Sequence, residues 1–279
     1  MARLLTGCTC AEIRKNSIKA ILANPNWHTS RSGRILRLNF HPQTANTLKN
    51  IKFIYFDLDD TLLDHRSAQK RALEELHLNS AILKDTSSHI FLETYNRVND
   101  QLWQDFRSSL IDRHELQRLR FELTLKELEL ETSFHAELGD YYRKSYQSGW
   151  SWIEGAEAFY NEISKVYDVG LLTNGFSETQ QKKIRQFDFN KTSRHIVISE
   201  DIGYLKPDSR IFDYATKLTG LNPDQILYVG DSYQSDIIGG SQFGWKTAWF
   251  TGNPEAGQMN TADVIFNDFS QLQRLLINE

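Results

Sequence analysis

From residue 51 onward the chain alternates short apolar runs with longer amphipathic stretches. "FIYF" (53–56), "VGLLT" (169–173), "HIVIS" (195–199), "ILYVG" (226–230) and "TAWF" (247–250) are apolar on both faces, and most are followed by Gly, Asp, Ser or Asn. Runs of this length and character predict strands buried on both sides, as in a parallel sheet. Helical patterns separate the later ones: "AEAFYNEISKV", "SETQQKKIRQF", "DSRIFDYATKL" and "YQSDIIGGSQF". "ADVIF" and "FSQLQRLLI" add a sixth strand and a closing helix. The alternation predicts an α/β fold, a doubly wound parallel sheet with a Rossmann-like core.

One connection breaks the rhythm. The stretch between the first and second strands is far too long for a single crossover. Within it Phe91, Tyr95, Val98, Leu102 and Phe106 recur at helical spacing, with Thr86 to Ser88 as candidate N-caps. Residues 66–150 are therefore expected to form an all-helical cap inserted into a core made of 51–65 and 151–279. "SGWSWIEG" closes the insert, and Gly149 and Gly155 give its backbone the freedom a hinge uses. Trp150 and Trp152 are read there as exposed.

Charge changes the picture at the N-terminus. Residues 1–50 hold eight Lys/Arg against the single acid Glu12, a net of +7, and the rest of the chain carries −11. An acidic body of that kind gains nothing from counterion release, so no nucleic-acid partner is expected. No apolar run is long enough to span a membrane, so no membrane partner is expected either. The segment 1–50 reads as a disordered or weakly structured extension, with an organelle-targeting segment as the competing reading. Cys8 and Cys10 are the only cysteines and form no recognisable metal site, which fits a reducing cytoplasm.

The chemistry lies where the apolar runs end. "IKFIYFDLDDTLLD" drives a strand into Asp57, Asp59 and Asp60. Thr173 and Asn174 end the second strand, Lys206 follows the third, and Asp231 and Asp236 follow the fourth. Ligands of open α/β sheets collect at the carboxyl ends of the strands, so these side chains should converge. Carboxylates that close repel one another unless a cation offsets them, and three or four acidic oxygens suit Mg²⁺. Such an ion draws in a phosphate, whose remaining oxygens Lys206 and Thr173 can hold. Of two aspartates spaced i and i+2, one can attack while the other shuttles protons.

These residues resemble the haloacid dehalogenase superfamily. "DLDDTL", "LLTNG", "LKPDSRIF" and "YVGDSYQSD" are similar to its four motifs, in order, over residues 51–277. The resemblance implies that Asp57 is a nucleophile forming an aspartyl-phosphate and that Asp59 is the general acid/base. It implies that Thr173, Asn174 and Lys206 bind phosphate. Mg²⁺ would be held by Asp57, Asp231 and the Asp59 backbone carbonyl, and Asp236 would act through water or on Lys206. True dehalogenases lack the second aspartate, so its presence implies a phosphatase, with a phosphomutase also compatible.

The insert is similar to the helical cap of the pyrimidine 5′-nucleotidase subgroup, notably in "YNRVNDQLWQDF" and "ELQRLRF". A small-molecule phosphomonoester, a nucleoside monophosphate, is the substrate this implies. Asn96, Asn99 and Trp103 fall at i, i+3 and i+7, and with Phe106 and Phe176 they are candidate substrate contacts. Arg120 is a further candidate, with a cap glutamate as its alternative partner. A phosphatase of small sugar phosphates or phosphoglycolate, and a non-catalytic binding protein, are the rival readings.

Overall fold

The computed structural model describes residues 48–252 and 261–277, together with two short strands nearer the N-terminus. Those two, Trp27–Thr29 and Ile35–Arg37, pair antiparallel with Trp27 opposite Arg37. They fall within the segment that the sequence read as disordered or weakly structured. The expectation for the remainder of 1–47 lies outside the described residues.

The main unit is built on six parallel strands: β1 (Phe53–Phe56), β2 (Asp168–Thr173), β3 (His195–Ile198), β4 (Ile226–Gly230), β5 (Lys246–Phe250) and β6 (Val264–Phe266). Their order is β3-β2-β1-β4-β5-β6, the doubly wound arrangement expected. Alternate side chains feed two cores, as strand geometry requires. Ile54, Phe56, Leu171, Leu227 and Val229 enter one, packed against Phe159, Ile163 and Leu272. Phe53, Tyr55, Leu172 and Tyr228 enter the other, packed against Ile211, Phe212 and Trp245. With both faces covered, the strands have no polar side, which is why they read as unbroken apolar runs.

Four helices fill the long connection between β1 and β2: α1 (His65–Asn79), α2 (Ser88–Arg107), α3 (Arg113–Glu127) and α4 (His135–Ser148). Each of the first three starts on a side-chain cap. Asp64 accepts from Ser67 N, Ser87 from Ile90 N, and Asp112 forms a capping box with Glu115. Their shared core is aromatic, with Phe91, Tyr95, Phe121 and Tyr142 around Leu76 and Leu125. Four further helices matter below: α5 (Ala156–Ile163), α6 (Ser177–Gln186), α7 (Ser209–Thr219) and α8 (Phe269–Ile277). Among the described residues no helix is long and apolar enough to cross a membrane.

Two chain segments cross between cap and core, and they run side by side. Asp64 N donates to Ser151 O and Ile153 N to Leu62 O, each at 2.9 Å. The tryptophans on this crossing are not exposed as the sequence suggested. Trp150 is buried in the cap's apolar cluster, whereas Trp152 packs edge-on against Phe187 and Phe189 of the core. One ring therefore packs in each body.

Candidate active site

The strand order reverses between β1 and β4, and the side chains at issue gather beyond that point. Asp57 N still donates to Val229 O, so the first aspartate sits at the last rung of the ladder. The chain then turns sharply. Asp60 adopts a left-handed backbone (φ 60°), and its N–H donates to Leu63 O at 2.7 Å. Asp57 is buried, while Asp59 faces the space above the sheet.

Lys206 is the hub. Its ammonium, 2% exposed, donates to Asp57 Oδ1 at 2.7 Å and to Tyr228 Oη at 2.5 Å, and it lies 2.9 Å from Asp236 Oδ1. Asp236 is fully buried in a π-helical turn, Tyr233–Ile238, and also accepts from Ser232 N and Ser235 Oγ. It therefore acts on Lys206. That approach needs Gly230: a Cβ there would lie 2.7 Å from the Asp236 Cβ. Asn174 spends its whole amide on the Lys206 backbone, donating to the carbonyl at 3.0 Å and accepting from the N–H at 2.9 Å. Asn174, a candidate phosphate contact from the sequence, thus braces Lys206 and also lines the cavity between sheet edge and cap. Thr173 is fully buried, and its hydroxyl accepts from Gln180 Nε2 at 2.8 Å, so it stands behind the cavity wall instead of on it.

Asp57, Asp231 and Asp236 bring carboxylate oxygens within 4.8 Å of one another. Burial pushes the Asp57 carboxyl well above the usual range, with Asp236 and Asp59 adding to the shift and Lys206 opposing it. Burial also raises Asp231, helped by Asp57 and Asp236. Both carboxyls therefore hold their protons too tightly, the behaviour of an acidic cluster short of positive charge. The donors are hard oxygens on separate, rigid strand ends, which fits a hard divalent cation.

Asp59 behaves differently. Burial resists its ionisation, yet the Lys183 ammonium and His65 outweigh that cost and hold its carboxyl below the usual range. Lys183 Nζ donates to Asp59 Oδ1 at 2.6 Å and Gln180 Nε2 to Asp59 Oδ2 at 3.0 Å. Neither Gln180 nor Lys183 was singled out from the sequence. Both lie on the inner face of α6, where "SETQQKKIRQ" reads as a solvated polar helix.

Above these groups a cavity of about 550 Å³ opens between sheet edge and cap, lined by Asp57, Asp59, Lys206 and Asp231 below and by Asn99, Trp103 and Arg120 above. The predicted cap contacts separate. Asn99 is buried with its Oδ1 unpartnered, and Trp103 stacks on Phe176 with ring centroids 5.5 Å apart. Phe106 meets both rings edge-on and does not line the cavity. Asn96 is exposed and lies outside it. Arg120 pairs with no cap glutamate: among the described residues no carboxylate reaches it, and its Nε has no hydrogen-bond partner.

Phe176 ties the two bodies together. It follows β2, yet it is buried among Val98, Leu102 and Leu116 of the cap. The Arg113 guanidinium of α3 sits 4.9 Å from its ring centroid and reaches Glu200 at 3.2 Å and Glu178 at 3.4 Å on the core.

This fold and this ring of carboxylates define a class, and residues 54–250 match the model of the haloacid dehalogenase-like hydrolase family. The chain belongs to that family and is an enzyme of the hydrolase type it defines. It is 31% identical over 221 residues to the HAD-hydrolase YfnB of Bacillus subtilis, covering 78% of this chain and 90% of that protein. It is 33% identical over 199 residues to the pyrimidine 5′-nucleotidase YjjG of Escherichia coli, covering 71% and 84%. Glyceraldehyde 3-phosphate phosphatase of Pyrococcus furiosus is 28% identical over 243 residues, covering 83% and 95%. Among solved structures, magnesium-bound YfnB, for which interdomain movement is described, superposes with a TM-score of 0.69 at 28% identity, covering 82% of this chain and all of that one.

Proposed function

We propose that this enzyme is a Mg²⁺-dependent phosphomonoesterase acting on nucleoside 5′-monophosphates, with pyrimidines preferred. The observation that carries the reaction is the pair Asp57 and Asp59 on one turn, each gripped by its own buried ammonium, Lys206 and Lys183. Asp57 is placed to attack phosphorus: its carboxylate oxygen forms the new P–O bond as the ester P–O bond breaks. Asp59, which starts ionised, takes the proton of the substrate's phosphate monoanion and passes it to the departing alkoxide. Water, giving its proton to Asp59, then attacks the aspartyl-phosphate, and inorganic phosphate leaves with that proton, restoring both carboxylates. Lys206 offsets charge on the phosphoryl oxygens, and the buried walls limit competing water. Asp57, Asp231 and the Asp59 backbone carbonyl would hold Mg²⁺, which when bound neutralises the carboxylates and polarises the phosphoryl group.

The substrate reading is supported by the cavity roof. Trp103 offers an aromatic face, Asn99 an unpartnered buried amide oxygen and Arg120 a guanidinium whose Nε has no partner. Buried polar atoms without partners cost free energy until a ligand supplies them, and a pyrimidine edge carries both donors and acceptors. The similarity to YjjG agrees with this choice.

The test is phosphate release from UMP, dTMP, CMP, AMP and glyceraldehyde 3-phosphate, with Mg²⁺ and with EDTA. Pyrimidine nucleotides should lead the panel, EDTA should stop turnover, and Asp57→Asn should be inactive yet folded. Undiminished hydrolysis by Asp57→Asn would end the nucleophile assignment. A triose phosphate turned over faster than any nucleotide would end the substrate assignment alone.

A further inference from the structure

We propose that Lys183, with Gln180, is the positioning residue for the acid–base carboxylate and makes the placement of Asp59 depend on a closed cap. The inference rests on Asp59 being the proton donor and acceptor of the reaction above. It adds residues that the motif pattern does not contain.

Lys183 is 1% exposed although it carries an ammonium in the middle of a polar helix. Among the described residues its Nζ has one carboxylate within ion-pair distance, Asp59, at 2.6 Å. The rest of its surroundings come from the cap side. The ring centroids of Tyr146, on α4, and Trp150, on the crossing segment, lie 5.3 and 5.4 Å from the same nitrogen. Tyr146 is itself fixed by a 2.7 Å hydrogen bond to His65 Nδ1 at the start of α1. The ammonium is thus closed in by two aromatic faces, both packed in the cap's apolar cluster. Aromatic faces attract a cation most strongly once water is excluded.

The consequence concerns geometry. With the cap down, water cannot compete for the Lys183–Asp59 pair, and the pair is electrostatically tight. Gln180 grips the other oxygen at 3.0 Å while the same Nε2 touches Thr173 Oγ1 at 2.8 Å, so the carboxylate plane is fixed at both ends. Each carboxylate oxygen keeps a second acceptor site, and Asp59 lines the cavity where the leaving group must sit. Lifting the cap strips the rings from the ammonium, admits water and frees the carboxylate to rotate. Asp59 would then be held at the angle for proton transfer only over a closed site, which suits chemistry that must not begin in open water.

The experiment compares two esters that differ in how much they need the acid. An alkyl ester such as UMP leaves as a poor alkoxide, whereas p-nitrophenyl phosphate leaves without help. Lys183→Met should lower kcat for UMP by about 10²-fold, the usual worth of general acid catalysis, with KM within about threefold of the parent. The pre-steady-state burst of p-nitrophenolate, which reports attack by Asp57 alone, should stay within about threefold. Lys183→Arg should recover at least about tenfold of the UMP loss, because a charge at that position still meets Asp59. Gln180→Ala should show the same split to a smaller degree, and it tests the proposal should Lys183→Met fail to fold. An equal fall in the burst and in UMP turnover would overturn the proposal. So would a rise in KM at constant kcat, or no rescue by arginine. Asp59→Asn serves as the reference: if it spared UMP turnover, the acid–base reading itself would fail, whatever Lys183 did.

Discussion

Removing the cation at Lys206 should unfold the site before it merely inactivates it. The Lys206 side chain sits between Asp57 Oδ1 at 2.7 Å and Asp236 Oδ1 at 2.9 Å, and Asp236 has no access to water. Lys206→Met leaves two buried carboxylates facing each other with no counter-charge. Breaking a buried ion pair by deleting one partner costs about 3–5 kcal/mol. For a unit of this size, residues 47–279, each kcal/mol moves Tm by roughly 2–4 °C, so a fall of roughly 6–20 °C is expected. The loss should also depend on pH. Burial already raises the Asp57 carboxyl, and removing Lys206 raises it further. A carboxyl whose pKa is higher in the fold than in the unfolded chain binds its proton more tightly when folded. Stability is then retained at low pH and lost as the pH climbs towards the folded pKa. The variant should sit closest to the parent in mild acid and furthest from it above neutrality.

The decisive measurement is a thermal-melting cycle in EDTA, since a divalent ion would itself replace the missing charge. Asp236→Asn keeps an acceptor for Ser232 N–H but removes one of the two stranded charges. Combined with Lys206→Met it should recover much of the lost Tm, a coupling of roughly 1–3 kcal/mol. Activity should not return, because in the proposed reaction Lys206 also offsets charge on the phosphoryl oxygens. If Lys206→Met melted within about 2 °C of the parent, or if the two changes simply added, Lys206 would not be the counter-charge that its distances imply.

Two further outcomes follow from single contacts. Gly230→Ala would drive a methyl group into Asp236, already pinned by Lys206 and Ser232; a melt should show about 1–3 kcal/mol lost together with most activity, and an unchanged melt would mean that the turn yields. Arg113→Ala severs the Glu200 and Glu178 contacts between cap and core, so KM should rise several-fold at low salt with kcat nearly constant, and the difference should shrink in high salt as screening weakens the parent's own pairs; identical KM values at low salt would show that Phe176 alone holds the cap.

The strands were legible because covering both sheet faces leaves no polar position within them, and their ends were legible because each run stops at a polar or turn-forming residue. From that alone Asp57, Lys206 and Asp231 could be assigned to one edge. What the strand pattern could not supply is the direction of side chains set by packing. Asn96 and Asn99 differ by about 60° around α2, enough to turn one to water and the other into the cavity. Thr173 ends a strand where a hydroxyl should meet ligand, but Gln180 from the next helix takes it. Lys183 looked like one of a pair of surface lysines; only the seating of α6 beneath Tyr146 and Trp150 distinguishes it from Lys182. The tryptophans of the crossing carried no such signal: two apart on an extended segment they would share a face, so the pattern could not show that Trp150 packs in the cap and Trp152 against the core.

Why a buried strand ends in clustered carboxylates becomes clear once each is matched with its counter-charge. Asp59 has Lys183, while Asp57 and Asp236 share Lys206. Asp231 has no buried ammonium; the Arg66 guanidinium 3.6 Å away is largely exposed to water, where such a contact is worth little. Four carboxylates against two buried ammoniums leave two negative charges unbalanced, concentrated at the Asp231 side. Protons can relieve that imbalance, which is why the Asp57 and Asp231 carboxyls shift upward together. A single divalent cation balances it completely and leaves both carboxylates ionised. The two lysines also lie on opposite sides of this deficit: Lys206 is built into the core, whereas Lys183 is roofed by cap aromatics. With such a cation bound, the core would hold the Asp57 carboxylate ready whether the cap is up or down, while Asp59 is fully restrained only when the roof is down.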